Sequence, residues 1–169
     1  MVGLPHVNTR EAVIRSYLRI ALDRVCTELD RRESERLLRA LPFVASASVR
    51  SAPDGPGRIR INVDVVDEQP LVAGARLSRA TISSVLLGTQ NLAGRGLAVV
   101  AAAERGFAYR SGFGVRARQY GLLGQPAYLD LTAERRPVIG ERLAVEVAAP
   151  FLTDLQLHAF HANAALESG

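Results

Sequence analysis

Residues Leu37–Pro70 read LLRALPFVASASVRSAPDGPGRIRINVDVVDEQP. The first part is the end of a helix, closed by Pro42, because the residue before a proline is driven out of helical geometry. Next, Val44, Ala47 and Val49 mix with Ser46, Ser48 and Arg50. The run Ala52-Pro53-Asp54-Gly55-Pro56-Gly57 is dense in residues that fix or free the backbone and marks a turn. After it, Ile59, Ile61, Val63 and Val65 alternate with Arg58, Arg60, Asn62 and Asp64. A period of two predicts a strand with one buried and one wet face. The hairpin is a seam: helical patterns lie before it and strand patterns after it.

Upstream, Asn8-Thr9-Arg10-Glu11 has the form of a capping box, and Val13, Ile14, Tyr17 and Leu18 make one apolar stripe. The pattern could run on through Leu22 and Val25, with a turn expected near Leu22-Asp23. A second capping-box pattern, Asp30-Arg31-Arg32-Glu33, opens a stripe of Leu37, Leu38 and Leu41. Two helices are expected, over residues 9–20 and 28–40. A lone hairpin is marginal, so a third strand ahead of Asn8 would complete this unit, although Met1–Val7 is short for it and holds Pro5.

Downstream, strands are expected at Thr81–Leu87, Leu97–Arg105, Tyr109–Tyr120, Ala127–Glu134, Arg142–Ala149 and Leu155–Leu166, separated by turns rich in glycine and proline. Many put aliphatic residues on one side and small or charged residues on the other. Such runs, about eight to twelve residues, fit a membrane-spanning β-barrel. A β-sandwich tends to shorter strands of about five or six residues. No apolar stretch approaches the roughly 20 residues of a transmembrane helix, and Met1–His6 carries no secretion signal.

The composition excludes several classes. All 21 basic residues are arginine, set against 17 acidic ones for a net charge of +4. So modest a balance does not point to nucleic acid. Cys26, alone in the chain, cannot form an intrachain disulfide. Gly94-Arg95-Gly96 lacks the third glycine and following helix of a nucleotide loop. His158 and His161 fall on opposite faces of a strand and His6 is remote, so no metal site is expected. Asp64, Asp67 and Glu68 read as a solvated strand end. No catalytic constellation and no cofactor site is expected.

Two stretches carry a family resemblance. Ser34–Val44, the strand Ala47-Ser48-Val49-Arg50, and Ile59–Val66 with Glu68 and Pro70 at the exit resemble a POTRA (polypeptide-transport-associated) domain. Asn91-Leu92-Ala93-Gly94-Arg95-Gly96-Leu97 resembles the "NLxGxG" lead-in to an early barrel strand of the BamA/TamA-type assembly proteins (bacterial surface antigen superfamily). Arg136-Pro137-Val138 and Ala149-Pro150-Phe151-Leu152 resemble the strand-end prolines of such barrels. The family's usual Gly-Asp between the two helices reads Leu22-Asp23 here.

The resemblance implies an α+β fold: a POTRA-like β-α-α-β-β domain over residues 1–70 with its first strand short or missing, a linker over 71–80, and six or seven antiparallel strands of an incomplete outer-membrane barrel over 81–169. It implies a fragment of a non-enzymatic protein of the bacterial outer membrane, with its N-terminal domain in the periplasm. The expected partners are nascent or unfolded outer-membrane or secreted polypeptides, outer-membrane lipid and accessory lipoproteins, without nucleic acid. Clients would pair along a strand edge at Val44, Ala47, Val49 and Arg50, and Asn91, Leu92, Gly94 and Gly96 would form the barrel lead-in. The first barrel strand, near Thr81–Leu87, would border a lateral seam where client strands form. Two rival readings stand beside it: a soluble POTRA-like binding module with a β-sandwich, and an outer-membrane pore or barrel enzyme.

Overall fold

The computed structural model describes residues 8–21, 24–78, 81–105, 111–136, 140–149 and 159–168. The expected strand at Met1–Val7, the Leu22-Asp23 turn, His6, His158, residues 155–158 of the last expected strand, and the prolines at 137 and 150 lie outside them.

Helix α1 (Glu11–Ser16) and helix α2 (Glu28–Arg39) precede a hairpin of β1 (Val44–Pro53) and β2 (Ile59–Asp67). The remaining strands are β3 (Leu71–Ser78), β4 (Thr81–Thr89), β5 (Leu97–Arg105), β6 (Ser111–Tyr120), β7 (Tyr128–Arg136), β8 (Gly140–Ala149) and β9 (Phe160–Ser168). β1 and β2 form a two-stranded sheet, and β3 to β9 a second, seven-stranded sheet in strict sequence order, antiparallel throughout. This corrects the expected fold class. Among the described residues the chain is mostly antiparallel β-sheet with two α-helices, and its first 70 residues do not form a POTRA-like α+β domain. The seven-stranded sheet is compatible with part of a barrel.

Local chemistry accounts for the differences. α1 is only six residues long, and Asn8 does not cap it: Arg10 is its N-cap and makes no side-chain bond. The stripe continues past it as non-helical chain, where the Arg19 amide donates to Ser34 Oγ at 2.9 Å and Leu18 and Ile20 pack on the core. α2 starts at Glu28, as expected, but Asp30 with Glu33 is not its capping box. Its capping box is Thr27 with Asp30, each side chain bonding the other's backbone amide, and this satisfies donors that a helix N-terminus otherwise leaves open. The expected linker over 71–80 is largely strand β3, paired with β4 from Leu71–Thr89 to Ser78–Thr81.

The core lies under α2. Leu37, Leu38, Leu41, Phe43, Val44, Ala47 and Val49 are buried together with Val13 and Tyr17 of the first helical segment. Tyr120, at the end of β6, meets Phe43 edge-on with ring centroids 5.6 Å apart, which ties the large sheet to this core. Burial pushes the Tyr17 phenol up to about 12. Above pH 10 the unfolded chain therefore ionises first, and this core loses stability as pH rises toward 12.

Leu38→Ala, at a fully buried position, is expected to destabilise the chain by about 3 kcal/mol. Val25→Ser, at an exposed position, should change stability by less than about 0.5 kcal/mol. Denaturant titration of both variants checks the pair.

Candidate functional site

Strand pairing sets the two faces of the seven-stranded sheet, because residues opposite each other share a face. One face carries Leu71, Ala73 and Ala75 of β3, then Val85 and Leu87 of β4, and Leu97, Val99, Ala101 and Ala103 of β5. It continues through Phe113, Val115 and Ala117 of β6, Leu129, Leu131 and Ala133 of β7, and Leu143, Val145 and Val147 of β8. It ends on Phe160, Ala162, Ala164 and Leu166 of β9. The larger side chains on this face are exposed: Leu87 is 67% accessible, Phe113 58% and Leu166 74%. A continuous apolar face across seven strands far exceeds the few-hundred-Å² patches common on soluble monomers.

The opposite face is polar from β6 onward. Asp130 of β7, 3% exposed, accepts from Arg116 Nε at 2.9 and 3.0 Å and from Arg118 Nε at 2.6 Å. The Arg118 guanidinium lies over the Tyr128 ring, 4.4 Å from its centroid. The Tyr128 hydroxyl donates to Glu146 at 2.5 Å, and Glu146 stands 3.5 Å from His161 Nε2. Polar side chains thus link four consecutive strands, β6 to β9. Arg76 of β3 and Glu134 and Arg136 of β7 line one hollow of about 260 Å³. Strands so far apart in the order share a hollow only if the sheet curls, and it curls with this face inside.

The Asn91–Gly96 stretch connects β4 to β5 as a single 3-10 turn at Leu92–Gly94. The four expected lead-in residues have separate tasks there. Asn91, 2% exposed, donates from Nδ2 to Thr9 Oγ1 at 2.7 Å and accepts from the Gly96 amide at 2.8 Å. The Gly94 carbonyl accepts from the Arg10 amide at 2.8 Å. Gly96 has φ +66°, and a Cβ there would come within 3.1 Å of Val13. Leu92 points outward and is half exposed. Thr9 is held in turn by Asp67, through its amide at 2.7 Å and its hydroxyl at 2.5 Å. Asp67 is therefore not simply the solvated strand end expected of it. It is one end of a polar clasp, Asp67–Thr9–Asn91, that joins the hairpin, the first helix and the sheet.

At the expected client edge, Val44, Ala47 and Val49 bury their side chains in the core, while Arg50 is exposed and pairs with Asp64 across the hairpin. On the side of β1 away from β2, two backbone groups are already engaged by α2. Arg39 donates to the Ala47 carbonyl at 2.6 and 3.0 Å, and Glu35 accepts from the Val49 amide at 2.7 Å.

Sequence reasoning missed Thr9, Glu35, Arg39 and the Asp130 cluster. The alternation of Arg116 and Arg118 with Asp130 and Thr132 was legible as polar strand faces, but the register that sets them opposite each other was not. Among the described residues there is no group of His, Cys, Asp or Glu placed to hold a metal. No known family model matches the chain, and no curated protein does either.

Asn91→Ala removes the bond to Thr9, leaving the Thr9–Asp67 arm of the clasp in place, and leaves the buried Gly96 amide unpaired. The expected cost is about 2–3 kcal/mol, read by thermal unfolding. Asp130→Ala leaves two partly solvent-exposed arginines without their shared carboxylate and is expected to cost about 1.5–3 kcal/mol. The matched Asp130→Asn variant, which retains an acceptor oxygen, should lose less in the same assay.

Proposed function

We propose that this chain is part of a bacterial outer-membrane protein of the barrel-assembly or translocation type. The observation that carries this reading is the exposed apolar face, continuous over all seven strands, backed by a polar face on the inside of the curl. The strands are eight to ten residues long, close to the nine to eleven that cross a bilayer at a barrel tilt. Lipid suits the apolar side, water the other. The helix–hairpin block at one end of the sheet stands in the periplasm, and its β1 edge pairs main chain to main chain with unfolded outer-membrane or secreted polypeptides. Pairing of this kind needs no catalytic group or cofactor. The energy for insertion comes from client side chains leaving water for lipid.

The sandwich reading has less support. A sandwich needs a second sheet to cover the apolar face. Among the described residues the other sheet is the β1–β2 hairpin, and its inner side is filled by the helices.

The test is depth-dependent quenching in vesicles. Single cysteines carrying a fluorophore are placed in a Cys26→Ser background at Leu131, Val145 and Ala164 on one face, and at Thr132, Glu146 and Asn163 on the other. Brominated acyl chains should quench the first three and spare the second three. Equal quenching on the two faces, or a monodisperse monomer that never enters vesicles, would overturn the reading.

A further inference from the structure

An exposed strand edge is a template for any extended chain, and soluble proteins commonly blunt such edges. The outer side of β1 is blunted in an unusual way. The Ala47 carbonyl and the Val49 amide face the same gap, one wanting a donor and the other an acceptor. In a parallel ladder a single partner residue meets both demands, its N–H going to the earlier carbonyl and its C=O to the later amide. Here Arg39 supplies the donor and Glu35 the acceptor. The two side chains also pair with each other, Arg39 Nη2 to Glu35 Oε2 at 3.2 Å. Together they imitate one residue of a parallel strand.

The next rung along the edge is open. The Val49 carbonyl and the Ser51 amide turn the same way as the imitated rung, since outward residues alternate along a strand. They have no hydrogen-bond partner among the described residues. Further along, Pro53 has no amide to offer. The Arg39 side chain is half exposed, so water already competes for its bonds, and each exchange costs little.

We propose that Glu35 and Arg39 are a displaceable guard on the β1 edge. An extended polypeptide docks parallel to β1, first at Val49 and Ser51, and then takes over the Ala47 and Val49 groups as the two side chains swing out to solvent. The proposal rests on the strand-pairing reading given above and adds its regulation. The edge stays closed to weak, accidental partners and opens to a chain long enough to satisfy several rungs at once.

The experiment uses the full chain in detergent micelles and a fluorescein-labelled ten-residue peptide alternating valine and threonine, read by anisotropy. A second peptide, N-methylated at every residue, has no main-chain amide donor on either edge and cannot pair as a strand. Wild type should bind the first peptide and not the second. The double variant E35A/R39A should bind it about tenfold more tightly, as expected for freeing two backbone groups from competing side chains. Glu35→Gln keeps an acceptor oxygen for the Val49 amide and should stay near wild type. If thermal unfolding shows the double variant to be misfolded, Arg39→Met is read instead. It keeps the aliphatic stem, loses the donors and should bind about threefold more tightly.

Unchanged or weaker binding in folded E35A/R39A, or in Arg39→Met where that is read instead, would overturn the guard while leaving strand pairing intact. Absence of binding in wild type and in the variants alike would overturn strand pairing at this edge, and the guard with it.

Discussion

The constraint on which the rest depends is that a sheet satisfies its own backbone but cannot hide both its faces. From β3 to β9 each inner strand finds both neighbours one connection away, so the ladders close without long-range crossings. What remains to be settled is the solvent of each face. Full burial of a single leucine or phenylalanine contributes about 1.5–3 kcal/mol, and the apolar face offers such side chains on every strand. No described element covers them. On the other face, Asp130, Arg116 and Arg118 form a cluster that hydrocarbon would tolerate poorly. A wall with lipid outside and a polar interior resolves both demands at once.

In the proposed reading such a wall needs a fixed relation to the helix–hairpin block. The chain between β2 and β3 is short, and both its ends are held: the Glu68 amide donates to the Phe43 carbonyl, and the Gln90 amide to the Pro70 carbonyl. The clasp from Asp67 through Thr9 to Asn91 runs alongside it. The connections between β4 and β5 and between β6 and β7 both lean on α1, where Gly96 approaches Val13 and Gly121 approaches Ser16. At Gly121 a Cβ would lie 2.5 Å from the serine hydroxyl, so the close approach excludes larger residues. Both turns carry a non-glycine residue at φ +53°, Ala93 and Leu123, each followed by a glycine at +70°. Consecutive left-handed residues match the twist of flanking strands. The joint is a packed interface, and most of the expected linker over 71–80 is strand.

Much of the fold could be read from period alone. Strand alternation is strict where one face is apolar, and β5 was read to its observed limits. Ile59–Val65 announced β2 just as clearly. Helix limits were less legible, since Val13, Ile14, Tyr17 and Leu18 keep helical spacing although only the first two lie within α1. The core takes those residues from turn and extended backbone as readily as from helix. β3 was missed because Gly74 and two alanines dilute its alternation and both its faces are partly apolar. The lead-in motif was legible as a turn at Asn91–Gly96. That Asn91 reaches Thr9, 82 positions away, follows from packing that no local pattern encodes. Glu35 and Arg39 read as ordinary partners one helical turn apart, which they are. Their second task depends on how α2 lies against β1.

The contrast between edges sharpens the account. In water, a carboxylate and a guanidinium can stand in for a strand, because solvent takes them back when they are displaced. That device is available at β1 and unavailable inside a bilayer, where every unsatisfied backbone group costs several kcal/mol and a charged substitute costs more. The outer sides of β3 and β9 have no partner strand among the described residues. If the sheet lies in lipid, what pairs with those two edges must itself be backbone. In the proposed reading the same physical demand, an unpaired ladder, has two solutions: exchangeable side chains where water is present, and another strand where it is not.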